Sequence, residues 1–196
     1  MRPPVPAVVL AAGASRRLGK PKQLLLLGSE TLLQRAIRIA NEAGTAPVIA
    51  VLGAHAEKTR SAIDLEQSIV EINNEWESGI AGSIQTGLHA VANHAPDATG
   101  VLLLTCDQAR LTAGHLRSLL DAFDAQNCST IVASTYAGTT GVPAIFPRAA
   151  FEDLLALRGD QGARALLRQS TRPLVTVPFA GGEVDIDLPG DVAQLQ

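Results

Sequence analysis

Short aliphatic runs alternating with helical stripes constrain this chain more than any other feature. Residues 5–11, 48–52, 68–72, 101–105 and 130–136 read as strands. Between them Leu32, Leu33, Ala36, Ile37 and Ala40 recur at helical spacing, with Gly44 where a C-terminal cap belongs. Leu116, Leu119, Leu120 and Phe123 form another stripe behind Thr112, a candidate N-cap. This order predicts an α/β fold with a mostly parallel central sheet flanked by helices. The stripes themselves are read as core, not as cofactor sites. After about residue 137 the pattern changes. Residues 138–143 read as a loop entering an extended segment, followed by helices near 149–157 and 161–168 and a strand near 174–177. Pro189 is placed to start a last short helix. No linker, repeat or low-complexity stretch divides the 196 residues, so one domain, 1–196, is expected.

Composition narrows the function classes. Aromatic residues make up only 3% of the chain against 46% hydrophobic overall, so the core must be aliphatic. A net charge of −3 argues against broad electrostatic binding to nucleic acid or to an anionic membrane. Cys106 and Cys128 give neither a disulfide framework nor a zinc spacing, and a reduced compartment fits best. The first apolar run breaks at Gly13, too early for a signal sequence. No apolar stretch approaches the roughly 20 residues that span a bilayer. A cytoplasmic protein with no membrane partner is expected.

The first strand ends in Leu10-Ala11-Ala12-Gly13-Ala14-Ser15, small residues whose main-chain N–H groups can approach a ligand closely. Arg16, Arg17, Lys20 and Lys22 follow at once, which suits a polyphosphate on an otherwise mildly acidic protein. Neither the G-x-G-x-x-G nor the G-x-x-x-x-G-K-[ST] signature is present. The plain alternative is a turn with a solvated basic surface.

Ligands of open α/β sheets bind beyond the carboxyl ends of the strands, near the switch in strand order. The basic loop is one such position, and residues 73–79 and Cys106-Asp107-Gln108 are two others. Asp107 directly follows a buried strand. It is suited to help hold Mg²⁺ beside a triphosphate, or alternatively to cap the next turn. Asp185 and Asp187 alternate on an extended segment, so both reach one side; they fit either one metal or a solvated edge strand. Lys22 and Arg17 are suited to neutralise charge on a leaving pyrophosphate, or are ordinary surface charge. Ser15 adds a hydroxyl contact or caps a turn. His55, His89, His94 and His115 show no metal-ligand spacing and are read as structural or exposed. No Ser-His-Asp arrangement can be drawn.

Taken in order, these residues resemble a known family. Leu10-Ala11-Ala12-Gly13-x-Ser15-x-Arg17-x-Gly19-x-x-Lys22 is similar to the nucleotide-binding loop of the molybdenum cofactor guanylyl- and cytidylyltransferases. Residues 74–79 and 82–88 resemble that family's N-x-W-x-x-G and S-x-x-x-G-L segments, and Asp107-Gln108 stands at its D-Q-P motif. Gly141-Val142-Pro143, residues 159–164 and residues 185–191 resemble its G-x-P, G-D-x-G-A-R and D-I-D-T-P-x-D segments. Ala12 and the compact Gly19-Lys20-Pro21-Lys22 resemble the cytidylyl branch, whose guanylyl relatives carry a second glycine. Ala109, Leu18 and Leu188 depart from the usual proline, methionine and threonine without removing a chemical group the reaction needs.

The resemblance implies a Rossmann-like nucleotidyltransferase fold, with a nucleotide-binding part at about 1–136 and an acceptor-side part at about 137–196. It implies transfer of CMP from CTP to molybdopterin-type molybdenum cofactor, releasing pyrophosphate, with the product passed transiently to a molybdenum hydroxylase. Leu10, Ala11, Ala12, Gly13, Ser15 and Ser83 would contact the nucleotide, and Arg17 and Lys22 its phosphates. Asp107 with Asp187 or Asp185 would hold Mg²⁺. Gly141, Pro143, Gly162 and Arg164 would shape the acceptor side. The alternatives are the same chemistry with GTP or on another phosphorylated acceptor, and a non-catalytic carrier of the pterin cofactor.

Overall fold

A computed structural model of the chain describes residues 4–169, 171–186 and 191. One seven-stranded sheet organises them in the order β5-β4-β1-β6-β8-β7-β9. Its strands are β1 (Ala7–Ala11), β4 (Val48–Leu52), β5 (Ile69–Ile72), β6 (Gly100–Thr105), β7 (Ile131–Tyr136), β8 (Thr139–Pro147) and β9 (Leu174–Pro178). A small hairpin, β2 (Leu26–Leu27) with β3 (Glu30–Thr31), stands apart from it.

β1 pairs in parallel with β4 on one side and β6 on the other. The chain therefore winds outward from β1 in both directions, and the switch in strand order falls between β1 and β6. β8 is antiparallel to both β6 and β7, while β9 runs parallel to β7. Among the described strands of this sheet β8 alone runs against the rest. The sheet is thus mostly parallel, as the alternating pattern implied. Residues 139–143, expected as a loop entering an extended segment, already belong to β8.

Successive strand residues feed opposite faces, as the period of two requires. Val9, Ala50, Leu102 and Leu104 face α1 (Leu32–Ala43) and α4 (Ala113–Ala125). Val8, Ile49, Leu103 and Ala144 face α3 (Ile80–His94), α5 (Phe151–Leu155) and α6 (Ala163–Gln169). Burying each large aliphatic chain is worth about 1.5–3 kcal/mol, and the fully buried Phe123 and Phe146 join the aliphatic residues of this core.

The helix ends follow local chemistry. Thr31 and Gln34 close a capping box at the start of α1, and Gly44 ends that helix in the left-handed region at φ 92°. Thr112 caps α4, its hydroxyl accepting from the His115 backbone N–H. The helix expected near 149–157 is a 3₁₀ turn at Arg148–Ala150 followed by α5. α2 (Ala56–Ala62) and the fifteen-residue α3 were absent from the expected elements. Pro189 lies outside the described residues.

Candidate nucleotide site

The site grows from the C-terminal ends of β1 and β6. Past Ala11 the chain leaves the sheet and reverses at Ser15, which adopts φ 53°. The Ser15 carbonyl accepts from the N–H groups of Leu18 and Gly19, at 3.0 and 3.2 Å. Its hydroxyl accepts from the backbone N–H of Lys22, at 3.0 Å. A basic stretch that would otherwise be free is thereby folded back over the strand end.

Gln23 clips the loop from below. It is 2% exposed, and its amide nitrogen donates to the carbonyls of Ala11 (2.5 Å) and Gly13 (3.0 Å). Its Oε1 is buried without a hydrogen-bond partner among the described residues. From the other side His55 Nε2 lies 3.1 Å from the Ala14 carbonyl. A carbonyl only accepts, so that nitrogen carries the proton. These contacts hold the carbonyls of Ala11, Gly13 and Ala14 in the protein's own hydrogen bonds.

Lys22 and Asp107 meet across the switch point. Lys22 Nζ donates to Asp107 Oδ2 at 2.6 Å, with each side chain 18% exposed. The preceding Cys106 is buried, and burial together with the Asp107 charge pushes its thiol up to about 12. It stays a neutral thiol and supplies neither nucleophile nor metal ligand. Asp107 is therefore the anionic group that β6 delivers.

A cavity of about 470 Å³ opens over this point. Leu10, Ala11, Ala12, Gly13 and Ser15 line one wall, with Arg16 and Lys22; Ser83, Trp76, Glu77 and Asp160 line the others. Ser83 is buried at the start of α3, its hydroxyl accepting from Asn73 Nδ2 at 3.1 Å. Arg17 is exposed on the same turn, and Arg16 is the arginine of this pair that lines the cavity.

A smaller cavity of about 170 Å³ adjoins the first and shares Leu10, Ile80, Thr105 and Asp107 with it. Its remaining wall holds Gln108, Tyr136, Val142, Gly162, Arg164 and Asp185. The backbone around Asp185 is hung on β6: Ile186 N–H donates to the Asp107 carbonyl at 3.0 Å, and Asp185 bridges Gln108. Gly162 and Arg164 both line this smaller cavity. Of residues 141–143, Val142 supplies the wall. Gly141 sits beneath the Tyr136 hydroxyl, and Pro143 is buried with its carbonyl accepting from Ser134 at 2.7 Å. Asp187 lies outside the described residues.

Two adjoining cavities, one lined by small residues with Arg16, Lys22, Glu77 and Asp160, the other carrying Asp185 and the Arg164 guanidinium, meet at Asp107. The first can take a polyphosphate; the second can take a smaller anion together with a hard cation. Residues 7–174 match a family model described as the MobA-like NTP transferase domain. The chain belongs to that family.

Relatives of this MobA-like transferase carry several names. It is 32% identical over 176 residues to "Nicotine blue oxidoreductase" of Paenarthrobacter nicotinovorans, covering 85% of this chain and 83% of that protein. It is 36% identical over 111 residues to "Probable molybdenum cofactor guanylyltransferase" of Opitutus terrae, covering 57% and 52% of the two chains. Among solved structures, the crystal structure of Rv0371c from Mycobacterium tuberculosis H37Rv superposes with a TM-score of 0.85 at 31% identity, covering 100% of this chain and 98% of that one. A complex of Rv0371C with manganese superposes at 0.80, with 28% identity and the same coverage. Among the described residues no helix is long and apolar enough to cross a bilayer.

Gln23 and Tyr136 were not singled out for the site from sequence, and Arg16, Trp76 and Asp160 fell within segments read as suggestive without a role of their own. Gln23 left a trace, a lone amide between the basic loop and the run Leu24–Leu27. Tyr136, the one tyrosine of the chain, left another by ending a strand at the same edge of the sheet.

Proposed function

We propose that this MobA-like transferase moves CMP from CTP to the terminal phosphate of molybdopterin-type molybdenum cofactor, giving molybdopterin cytosine dinucleotide and pyrophosphate. The observation that carries the reading is the meeting of Lys22 with Asp107 at the boundary of the two cavities. One cavity has the loop that phosphates need; the other has room and charge for a phosphorylated acceptor.

In this reading the amides from Ala11 to Gly13 and the Ser15 hydroxyl contact the triphosphate, with Ser83 on the opposite wall. Lys22 leaves Asp107 for the phosphates and follows the charge that builds on the leaving pyrophosphate, assisted by Arg17 from the same turn. An acceptor phosphate oxygen attacks the α-phosphorus, and the bond from that phosphorus to the β-phosphate bridging oxygen breaks. Nothing in the step needs a covalent enzyme intermediate; alignment and charge stabilisation carry it.

Asp107 and Asp185 line the same small cavity, and their donors are carboxylate oxygens, the type a hard divalent cation takes. They fit Mg²⁺, with Asp187 as the alternative second ligand. When bound, the ion would screen the phosphates from one another and make the α-phosphorus more electrophilic. The manganese complex of Rv0371C supports divalent metal use in this fold. Gly162 and Arg164, with the strand around Gly141 and Pro143, form the acceptor side. The product would then pass to a molybdenum hydroxylase by transient contact in the cytoplasm.

Ala12 supports CTP. A side chain at Gly53 would collide with the Ala12 methyl and carbonyl and with Trp76. The methyl already fills the wall that glycine at position 12 would leave open, and a pyrimidine asks less of that space than a purine. The test is pyrophosphate release with Mg²⁺ and molybdenum cofactor, run with CTP, GTP, ATP and UTP in parallel. Release with CTP is expected. Release with GTP alone overturns the nucleotide assignment, and release with none overturns the transferase reading. Because one relative is named an oxidoreductase, redox turnover is followed in the same samples with a redox dye; turnover there without pyrophosphate release also overturns it.

A further inference from the structure

We infer that Tyr136 is a positioning residue for the acceptor's phosphate, acting through the guanidinium of Arg164. The inference rests on reading the smaller cavity as the acceptor side. Arg164 enters that cavity from the start of α6 on a long, exposed side chain, and among the described residues no carboxylate pairs with it. Left alone, such a side chain samples many rotamers and points nowhere in particular. Here it is held. Arg164 Nη2 donates to the Tyr136 phenol oxygen at 3.1 Å, and the guanidinium carbon lies 6.0 Å from the ring centroid.

The phenol can do this because its own proton is spoken for. The Tyr136 hydroxyl donates to the Val142 carbonyl at 3.2 Å, so its oxygen lone pairs face the arginine. Position 141 has to be glycine for the hydroxyl to sit there: a Cβ would overlap the phenol oxygen and reach 3.4 Å from Arg164 Nη2. Behind the ring, Phe179 meets Tyr136 edge-on at 6.0 Å and stacks on His115 at 4.3 Å. His115 Nε2 lies 2.8 Å from the Ser134 hydroxyl, which donates to the Pro143 carbonyl. The tyrosine is thus wedged between a packed aromatic column and the strand that walls the cavity. Only one Arg164 N–H bond goes to Tyr136. The guanidinium has five donors in a rigid fork, and the others remain for a phosphate.

The arrangement makes Tyr136 a gauge of Arg164 direction, not a group that touches the reacting atoms. Substitution Tyr136→Phe keeps the ring, its edge contact with Phe179 and its face toward the guanidinium, while deleting the hydroxyl. A purely structural role would lower the melting temperature and weaken both substrates alike. A positioning role raises the KM for the acceptor by about tenfold, the loss of one charge-assisted hydrogen bond, and leaves the KM for CTP in place. In an Arg164→Gln background the same substitution then has no further effect on acceptor KM, because the group it directs is gone.

The experiment is this four-member cycle, wild type, Tyr136→Phe, Arg164→Gln and the double variant, read by acceptor KM, CTP KM and melting temperature. Binding of phenyl phosphate to each protein, with the larger cavity filled by a non-hydrolysable CTP analogue, is measured alongside. Coupled losses confined to acceptor KM and phenyl phosphate affinity are the expected result. Additive losses, equal rises in both KM values, or wild-type protein that binds no phenyl phosphate overturn the inference. If phenyl phosphate binding follows the cycle while molybdenum cofactor is not a substrate, the acceptor identity fails and the Tyr136–Arg164 assignment stands.

Discussion

Replacing Asp107 with Asn separates the two tasks that the proposed function gives Asp107. Asn keeps the shape and an acceptor oxygen for Lys22 but removes the negative charge. In the free protein that charge competes with phosphate for Lys22, at 2.6 Å between side chains that are each 18% exposed. An ion pair exposed to that degree is worth about 1 kcal/mol, well short of the 3–5 kcal/mol lost on breaking a buried one. That amount no longer has to be surrendered when a triphosphate arrives. Metal-free CTP should therefore bind Asp107→Asn about fivefold more tightly than wild type. Turnover should move the opposite way. Losing a charged group that supports the reacting phosphate costs about 10²–10³ in kcat, the scale seen when one preorganised electrostatic contact is deleted. Calorimetric titration with CTP in EDTA, followed by pyrophosphate release in Mg²⁺, reads both effects on one preparation. If Asp107→Asn binds metal-free CTP more weakly, or keeps turnover within tenfold of wild type, Asp107 is a structural partner of Lys22 and the argument fails.

Other perturbations test separate parts of the site. Gly79 sits at φ 107°, and a Cβ there would drive into the backbone of Gly159 and Asp160; Gly79→Ala should cost about 2–4 kcal/mol, measured by thermal melting, and should disturb the cavity wall at Asp160. Ala12→Gly should raise the ratio of GTP to CTP turnover by about tenfold, measured as kcat/KM, because it removes a methyl from the lining of the larger cavity. Burial lowers His115 from 6.5 to about 4. Between those values the unfolded chain takes up a proton that the folded protein refuses, so stability is full above pH 6.5 and falls as pH drops toward 4. Melting temperature against pH should show this slope, and His115→Gln should flatten it.

Much of the fold was legible because of where its strands lie. β1 and β4 are buried on both faces, so they read as unbroken aliphatic runs and β4 was found to the residue. α3 was hidden by its own composition. It buries Ala81, Ser83, Ile84, Gly87, Leu88 and Val91, a stripe too small and too rich in glycine to stand out. Yet Gly87 is needed there, since a Cβ would collide with Val8 of β1. Close helix-to-sheet approach and a visible amphipathic pattern are opposed demands at this position. In the site, Lys22 and Asp107 were each visible as candidates, but their contact joins residues 85 apart in sequence. It exists because β1 and β6 are neighbours, a fact of strand order that no local pattern carries. The placement of Arg16 and Arg17 was hidden for a related reason. Ser15 reverses the chain in a left-handed conformation, and past that turn Arg16 lines the larger cavity while Arg17 stands exposed beside it.

β8 matters most to the division of labour in the site. Gly141 and Pro143 break its strand pattern, and side chains do not encode strand direction, so its reversal was invisible. The reversal has a geometric consequence. Tyr136 ends β7 opposite Thr139, which begins β8, so the hairpin between them lies at the same edge of the sheet as Asp107. Had β8 run parallel to β7, its first residues would lie at the far edge, roughly 15–20 Å away for a strand of five or six residues. Val142 would then be out of reach of Tyr136 and Gln108, both of which bond its carbonyl. Parallel strand ends can build only one crevice at a switch point. The antiparallel strand builds a second beside it, and the proposed transfer between two phosphorylated substrates would use both.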